Sequence, residues 1–205
     1  MIVTEITEVS KARCRVVIDY EIAFVLYKGD LRIGHIKQGE QLTDETYRSI
    51  MQEILPKRAK LRCMNLLKSR DYTEAELTRK LSTGGYPKCV IQEAIAYVKS
   101  YGYVGDREYA EKYMDTYAET RSYRKMEQEL IRKGIPREVI AEIHQERIEN
   151  EEDPEPAQIR KILLKKGYSE QAMTREEKMK IFGYLVRKGY SIDKIRRCMN
   201  CEMDE

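Results

Sequence analysis

Histidine is nearly absent from this chain of 205 residues: there are two, His35 and His144, far apart in sequence. Acid–base and metal chemistry built on paired imidazoles therefore has nothing to start from. The signatures GxSxG, GxxxxGK[ST] and HExxH are absent as well, which removes the common hydrolase, phosphate-loop and zinc-protease readings. Carboxylates are plentiful, but none stands apart from a solvated helix face. The chain is read as a non-enzyme with no cofactor. Long apolar runs are also missing, since none approaches the roughly 18–20 residues that span a bilayer. Charged residues make up 36% and the mean hydropathy is −0.66, so a soluble protein with no membrane partner is expected. The first residues, MIVTEITEVSKARC, lack a basic segment followed by an apolar block, so no signal peptide is expected.

Cysteine is sparse and odd in number: Cys14, Cys63, Cys89, Cys198 and Cys201. That scatter does not form a disulfide framework, and a reducing cytoplasm is the simplest setting. Cys198 and Cys201 make a CxxC, but a structural zinc site needs a second pair or added histidines. The pair also lacks the βαβ setting of a redox motif. It is read as two cysteines without a role, with metal or redox use the minor alternative; no metal is expected.

What is present is charge, unevenly placed. Residues 1–56 carry a net −2, 57–104 a net +6, 105–153 a net −5 and 154–205 a net +4. Two basic segments flank an acidic one. Many of these charges are expected only to solvate helix faces; a polyanion-binding surface is the functional alternative.

Taken in order, residues 1–42 read as a small antiparallel β-meander. Ile2–Thr7, Arg13–Ile18, Ile22–Tyr27 and Leu31–Ile36 are short β-prone runs separated by Asp- or Gly-containing turns. Too few residues lie here for a core of their own, so the region is expected to pack on the helices C-terminal to it. His35, alone in the last run, is read as an ordinary surface or edge position. At Thr43 the period turns helical, with Tyr47, Ile50, Met51, Ile54 and Leu55 on one stripe, giving a connecting helix over 43–56. Pro56 suits the first turn of a further helix.

From there the chain repeats. Leu81–Pro87, Leu130–Pro136 and Leu185–Ser191 share one punctuation: Leu, a Gly four positions later, an apolar residue, then Pro or Ser. The glycines are 49 and 55 residues apart. Thr73–Glu76 and Thr174–Glu177 are capping boxes, whereas in the middle window Ser122 is followed by Lys125 where the Glu belongs. Each window has a helix before the Gly, one after it and one upstream, so three three-helix repeats are expected over 57–104, 105–153 and 154–205. The acidic stretch ERIENEEDPEP reads as a helix end and linker between the second and third.

Between the first and second repeats lies Lys99–Tyr117, KSYGYVGDREYAEKYMDTY. Gly102 can close one helix and Asp106 can cap the next. Tyr109, Ala110, Tyr113, Met114 and Tyr117 then form an apolar stripe. Gly102, Tyr103, Asp106, Tyr109, Ala110 and Tyr113 match the junction motif of the RecX family of recombination regulators. With the repeats, the resemblance covers about Lys57 to Asn200. It implies a mainly α fold of three tandem three-helix repeats forming an elongated curved body, and an N-terminal strand region as in longer members. It implies a regulator of the RecA recombinase in homologous recombination, DNA repair and the SOS response. Such a protein binds the RecA–single-stranded DNA filament, most simply as an inhibitor, and is expected to be a cytoplasmic monomer. The other reading is a helical nucleic-acid-binding module acting without RecA.

The candidate contact residues are the basic ones. In the first repeat they are Arg58, Lys60, Arg62, Lys68, Arg70, Arg79 and Lys80; in the third, Arg160, Lys161, Lys165, Arg187, Lys188, Arg196 and Arg197. Ordinary exposure and charge compensation at helix C-termini are the alternative account, most directly for Arg187-Lys188. The acidic second repeat is expected mainly to set spacing, and the six junction residues are expected to be structural.

Overall fold

The computed structural model describes residues 1–150, 153–169 and 171–200. The chain divides into two compact units, Met1–Gly105 and Asp106–Glu205.

The first unit opens with three antiparallel strands in sequential order: β1 (Val3–Ser10), β2 (Arg13–Ile18) and β3 (Ile22–Tyr27). Asp19 and Tyr20, both at positive φ, form the tight turn between β2 and β3. Alternation places Cys14, Val16 and Ile18 of β2 on the face that carries Phe24 and Leu26 of β3, and all five are buried. The expected fourth strand, Leu31–Ile36, does not form. Lys28–Ile33 is a helix, α1, closed by His35 in the left-handed region. Its Leu31 and the nearby Ile36 are buried and Ile33 is exposed, and a hydrogen bond from the Ile36 N–H to the Leu31 carbonyl (2.9 Å) seals the turn. A strand would have put Leu31 and Ile33 on one face, so the helical turn is what buries the two residues that reach the core.

Helix α2 (Asp44–Ser49) is capped by the Thr43 hydroxyl, which accepts from the Thr46 N–H. It does not stop at Pro56. A π-helical turn, Ile50–Ile54, carries it directly into α3 (Leu55–Leu67). Proline lacks an N–H and its ring crowds the carbonyl four residues back; the wider turn relieves both without breaking the rod. Helices α4 (Glu74–Thr83) and α5 (Lys88–Ser100) complete the first three-helix repeat. Strand residues and α3–α5 share one hydrophobic cluster, with Val16, Phe24, Leu55, Leu77 and Val98 in it. Gly85, at φ +82°, lies against β3: its carbonyl accepts from the Val25 N–H at 3.2 Å, and a Cβ there would meet Val25 Cγ2 at 2.2 Å.

The second unit holds two more three-helix repeats: α6 (Asp106–Tyr117), α7 (Tyr123–Lys133) and α8 (Arg137–Glu149), then α9 (Glu155–Lys165), α10 (Arg175–Lys188) and α11 (Ile192–Asn200). All three repeats end their middle helix alike. The residue after the Gly returns its N–H to the Leu carbonyl: Tyr86 to Leu81 (3.3 Å), Ile135 to Leu130 (3.1 Å) and Tyr190 to Leu185 (3.3 Å). This is the helix closure that a left-handed glycine permits, and it buries Leu81, Leu130 and Leu185 in the core of each repeat. The periodic spacing of Leu and Gly is therefore one backbone device used three times.

Candidate nucleic-acid interface

The second and third repeats are joined by a buried polar network. Glu155, on the first turn of α9, is 5% exposed. One of its oxygens accepts from the Tyr123 N–H at 2.8 Å, at the start of α7. A carboxylate of the next repeat thus serves this helix start, at the Tyr123 N–H rather than at the N-cap N–H that a capping box would use, and the Ser122 hydroxyl, which makes no cap hydrogen bond, donates to the Lys188 carbonyl at 2.7 Å. The other Glu155 oxygen receives Lys194 Nζ at 2.6 Å, which also reaches Asp153 at 2.6 Å. Burial alone would lower the Lys194 ammonium pKa; hydrogen bonds to Asp153 and Glu155 outweigh it and hold the pKa above its ordinary value. Gln158 receives the Tyr190 hydroxyl at 2.6 Å and donates to the Ala118 carbonyl. Burial pushes the Tyr190 phenol up to about 12, keeping it a donor.

The network brings α7 and α10 together along an open cleft of about 550 Å³. Arg124, Lys125 and Arg132 line it from α7, and Arg187 and Lys188 from α10, with Gln128 and Val186 between them. The single carboxylate in the lining, Glu129, is already engaged. It accepts from the Tyr113 hydroxyl and from Arg121. Burial would raise its pKa, but those two partners bring it below the ordinary carboxylate value. Five cations therefore face a polar cleft with one neutralised anion among them. At its edge the Tyr184 ring carries Lys166 Nζ at 4.2 Å and Lys188 Nζ at 5.6 Å.

The expected contact residues are distributed differently from their order in sequence. Arg187 and Lys188 fall in the cleft. Arg160, Lys161, Lys165, Arg196 and Arg197 are exposed on α9 and α11. In the first unit, Arg58 pairs with buried Asp30 at 2.9 Å and stacks over Tyr27, so its charge holds α1 and β3 to α3. Lys60 pairs with Glu93 at 2.6 Å. Arg70 lies 3.9 Å over the Tyr72 ring, and Arg79 bonds back to the Ala75 carbonyl. Arg62, Lys68 and Lys80 are exposed. Arg124, Lys125 and Arg132 were hidden by the net −5 of their segment. The signal that marks them is helical spacing: Arg124, Gln128 and Arg132 recur every four residues, opposite buried Met126 and Leu130.

Of the junction residues, Gly102 takes the left-handed conformation (φ +68°) and Ala110 is buried. Tyr109 and Tyr113 stack and pack on the second-repeat core. Asp106 is the first residue of α6. Tyr103 is 53% exposed and stacks on Tyr101 rather than entering a core. Cys198 is buried in the third-repeat core, and Cys201 lies outside the described residues. Among the described residues, no three His, Cys, Asp or Glu side chains gather as metal ligands, and no helix is long and apolar enough to cross a membrane.

Comparison with known proteins meets this geometry at both ends. Residues 59–98 match a family model described as the first three-helix domain of RecX, and residues 153–199 match that of its third three-helix domain. The chain is 30% identical over 206 residues to the regulatory protein RecX of Caldanaerobacter subterraneus subsp. tengcongensis, covering 98% of this chain and 99% of that one. It is 28% identical to the regulatory protein RecX of Clostridioides difficile, covering 92% and 88%. A crystal structure of regulatory protein RecX superposes with a TM-score of 0.62 at 20% identity, over 96% of this chain and 97% of that one. RecX from Lactobacillus salivarius superposes with the same score at 21% identity, over 74% and 97%. The two structures share the fold.

Proposed function

This chain belongs to the RecX family, and from that membership we propose that it is a regulatory protein that binds the RecA–single-stranded DNA filament and restrains its recombinase activity. The observation that carries the reading is similarity along nearly the whole length of a relative named as a regulatory protein. The charge distribution supports it. A protein filament wound on single-stranded DNA presents both carboxylates and phosphates, and exposed cations such as Arg62, Lys68, Arg160, Lys161 and Arg197 can meet either. Regulation by occupancy needs no reacting group, only a surface that fits and a charge that attracts.

Immobilised RecA filaments and bare single-stranded DNA, each offered the full chain at the same salt, test the proposal. Retention on filaments well above that on DNA alone is expected. Equal retention on both would overturn it in favour of a nucleic-acid-binding module that acts without RecA.

A further inference from the structure

We propose that the cleft between α7 and α10 is a binding site for the sugar–phosphate backbone of single-stranded nucleic acid, occupied directly and without a protein partner. The first ground is the pairing pattern. Elsewhere in this unit the basic side chains near carboxylates take them: Arg107 with Glu146, Arg147 with Asp115, Lys194 with Asp153 and Glu155. Among the described residues, none of the five cations lining the cleft forms a salt bridge. Cations gathered on two facing helices repel one another, and a row of phosphates offsets that repulsion and releases counterions on binding.

The second ground is construction. The cations come from two repeats, so the cleft exists only because Ser122, Glu155 and Gln158 lock those repeats in place. A charged site on a locked frame loses little entropy when it binds. The third is shape. A duplex is read by an element that protrudes into its groove, whereas an open concave cleft with cations on both walls admits a single strand. Tyr184, held beside Lys166 and Lys188, places an aromatic ring next to the phosphate track, the usual companion of such grooves.

The test is fluorescence anisotropy of a labelled oligothymidylate with the full chain, across a salt series and with no RecA present. The parent protein should bind, more weakly as salt rises. Arg124→Glu with Arg132→Glu, and separately Arg187→Glu with Lys188→Glu, should each weaken binding at least tenfold at low salt. Each pair should also reduce the slope of log affinity against log salt by about 1.4, two phosphate contacts at about 0.7 each. Arg32→Glu with Arg48→Glu, both exposed and in the other unit, should bind like the parent. The corresponding glutamine variants should lose less and serve where a reversal fails to fold. The proposal is overturned if the parent does not bind at low salt, or if the cleft variants match it. It is equally overturned if inorganic triphosphate competes at matched phosphate concentration, since the site would then take any small anion. Because RecA is absent, failure here leaves filament binding standing, and intact oligonucleotide binding with no filament retention refutes only the latter.

Discussion

Replacing Glu155 with alanine removes two interactions at once. The α7 N-terminus loses its acceptor at Tyr123, which costs about 1 kcal/mol by analogy with other helix caps. Lys194 loses one of its two carboxylates, a charge-assisted bond of about 1.5–3 kcal/mol. Asp153 still holds the ammonium at 2.6 Å and Lys194 is 23% exposed, so part of that loss is recovered. The net expectation is about 2–4 kcal/mol for Glu155→Ala. Glu155→Gln keeps an oxygen for Tyr123 but not the charge, and should cost about 1–2 kcal/mol. Urea unfolding followed by circular dichroism gives the magnitude, and hydrogen exchange locates it, because the Tyr123 amide should lose protection in the alanine variant and retain most of it in the glutamine variant. If Glu155→Ala unfolds within about 0.5 kcal/mol of the parent, as surface substitutions do, the borrowed cap contributes nothing and the account of the repeat junction fails.

Three further outcomes are expected. Gly85→Ala combines a positive-φ penalty with a Cβ 2.2 Å from Val25 Cγ2, so the first unit should lose about 2–4 kcal/mol, measured by its unfolding midpoint. His144 is held below its ordinary pKa of 6.5, first by burial and then by Lys194, with Glu155 and Asp153 pulling the other way. Its neutral form is the folded form, so its contribution to stability is complete above that value and is lost as pH falls below it; unfolding measured from pH 8 to pH 5 should show a steeper acid loss in the parent than in His144→Asn. Cys198→Ser puts a hydroxyl into the third-repeat core, where the thiol reaches the Pro156 carbonyl at 3.8 Å; a loss of about 1–2 kcal/mol is expected in thermal unfolding, contrary to a cysteine without a role.

Elements set by local chemistry are legible in the sequence. The Thr73 and Thr174 boxes, the Thr43 cap and the three Leu–Gly closures are all contacts within a few residues, and each forms as its residues dictate. The parts that escape a sequence reading are tertiary. Leu31–Ile36 is β-prone in isolation, yet helix α1 and its closing turn bury Leu31 and Ile36 together and place Asp30 against Arg58. Pro56 reads as a helix start because nothing local announces a π-turn before it. Ser122 reads as a deficient cap because the carboxylate that serves this helix start, at the Tyr123 N–H, comes from Glu155, 32 residues on. The basic cleft is invisible to segment charge, since a sum over the second repeat adds the acidic faces of α6 and α8 to the basic face of α7. Net charge describes a segment, whereas binding uses a face.

Restraint of a RecA filament is the function proposed for this chain. Its most direct test is RecA-driven strand exchange between homologous DNAs, with the full chain added to preformed filaments in increasing amounts. The proposed function predicts that exchange slows as the chain is added, at amounts no greater than one chain per RecA subunit, and that heat-unfolded chain has no effect. Strand exchange that proceeds at the same rate with and without the folded chain, under salt conditions where the chain is shown to be folded, would contradict it.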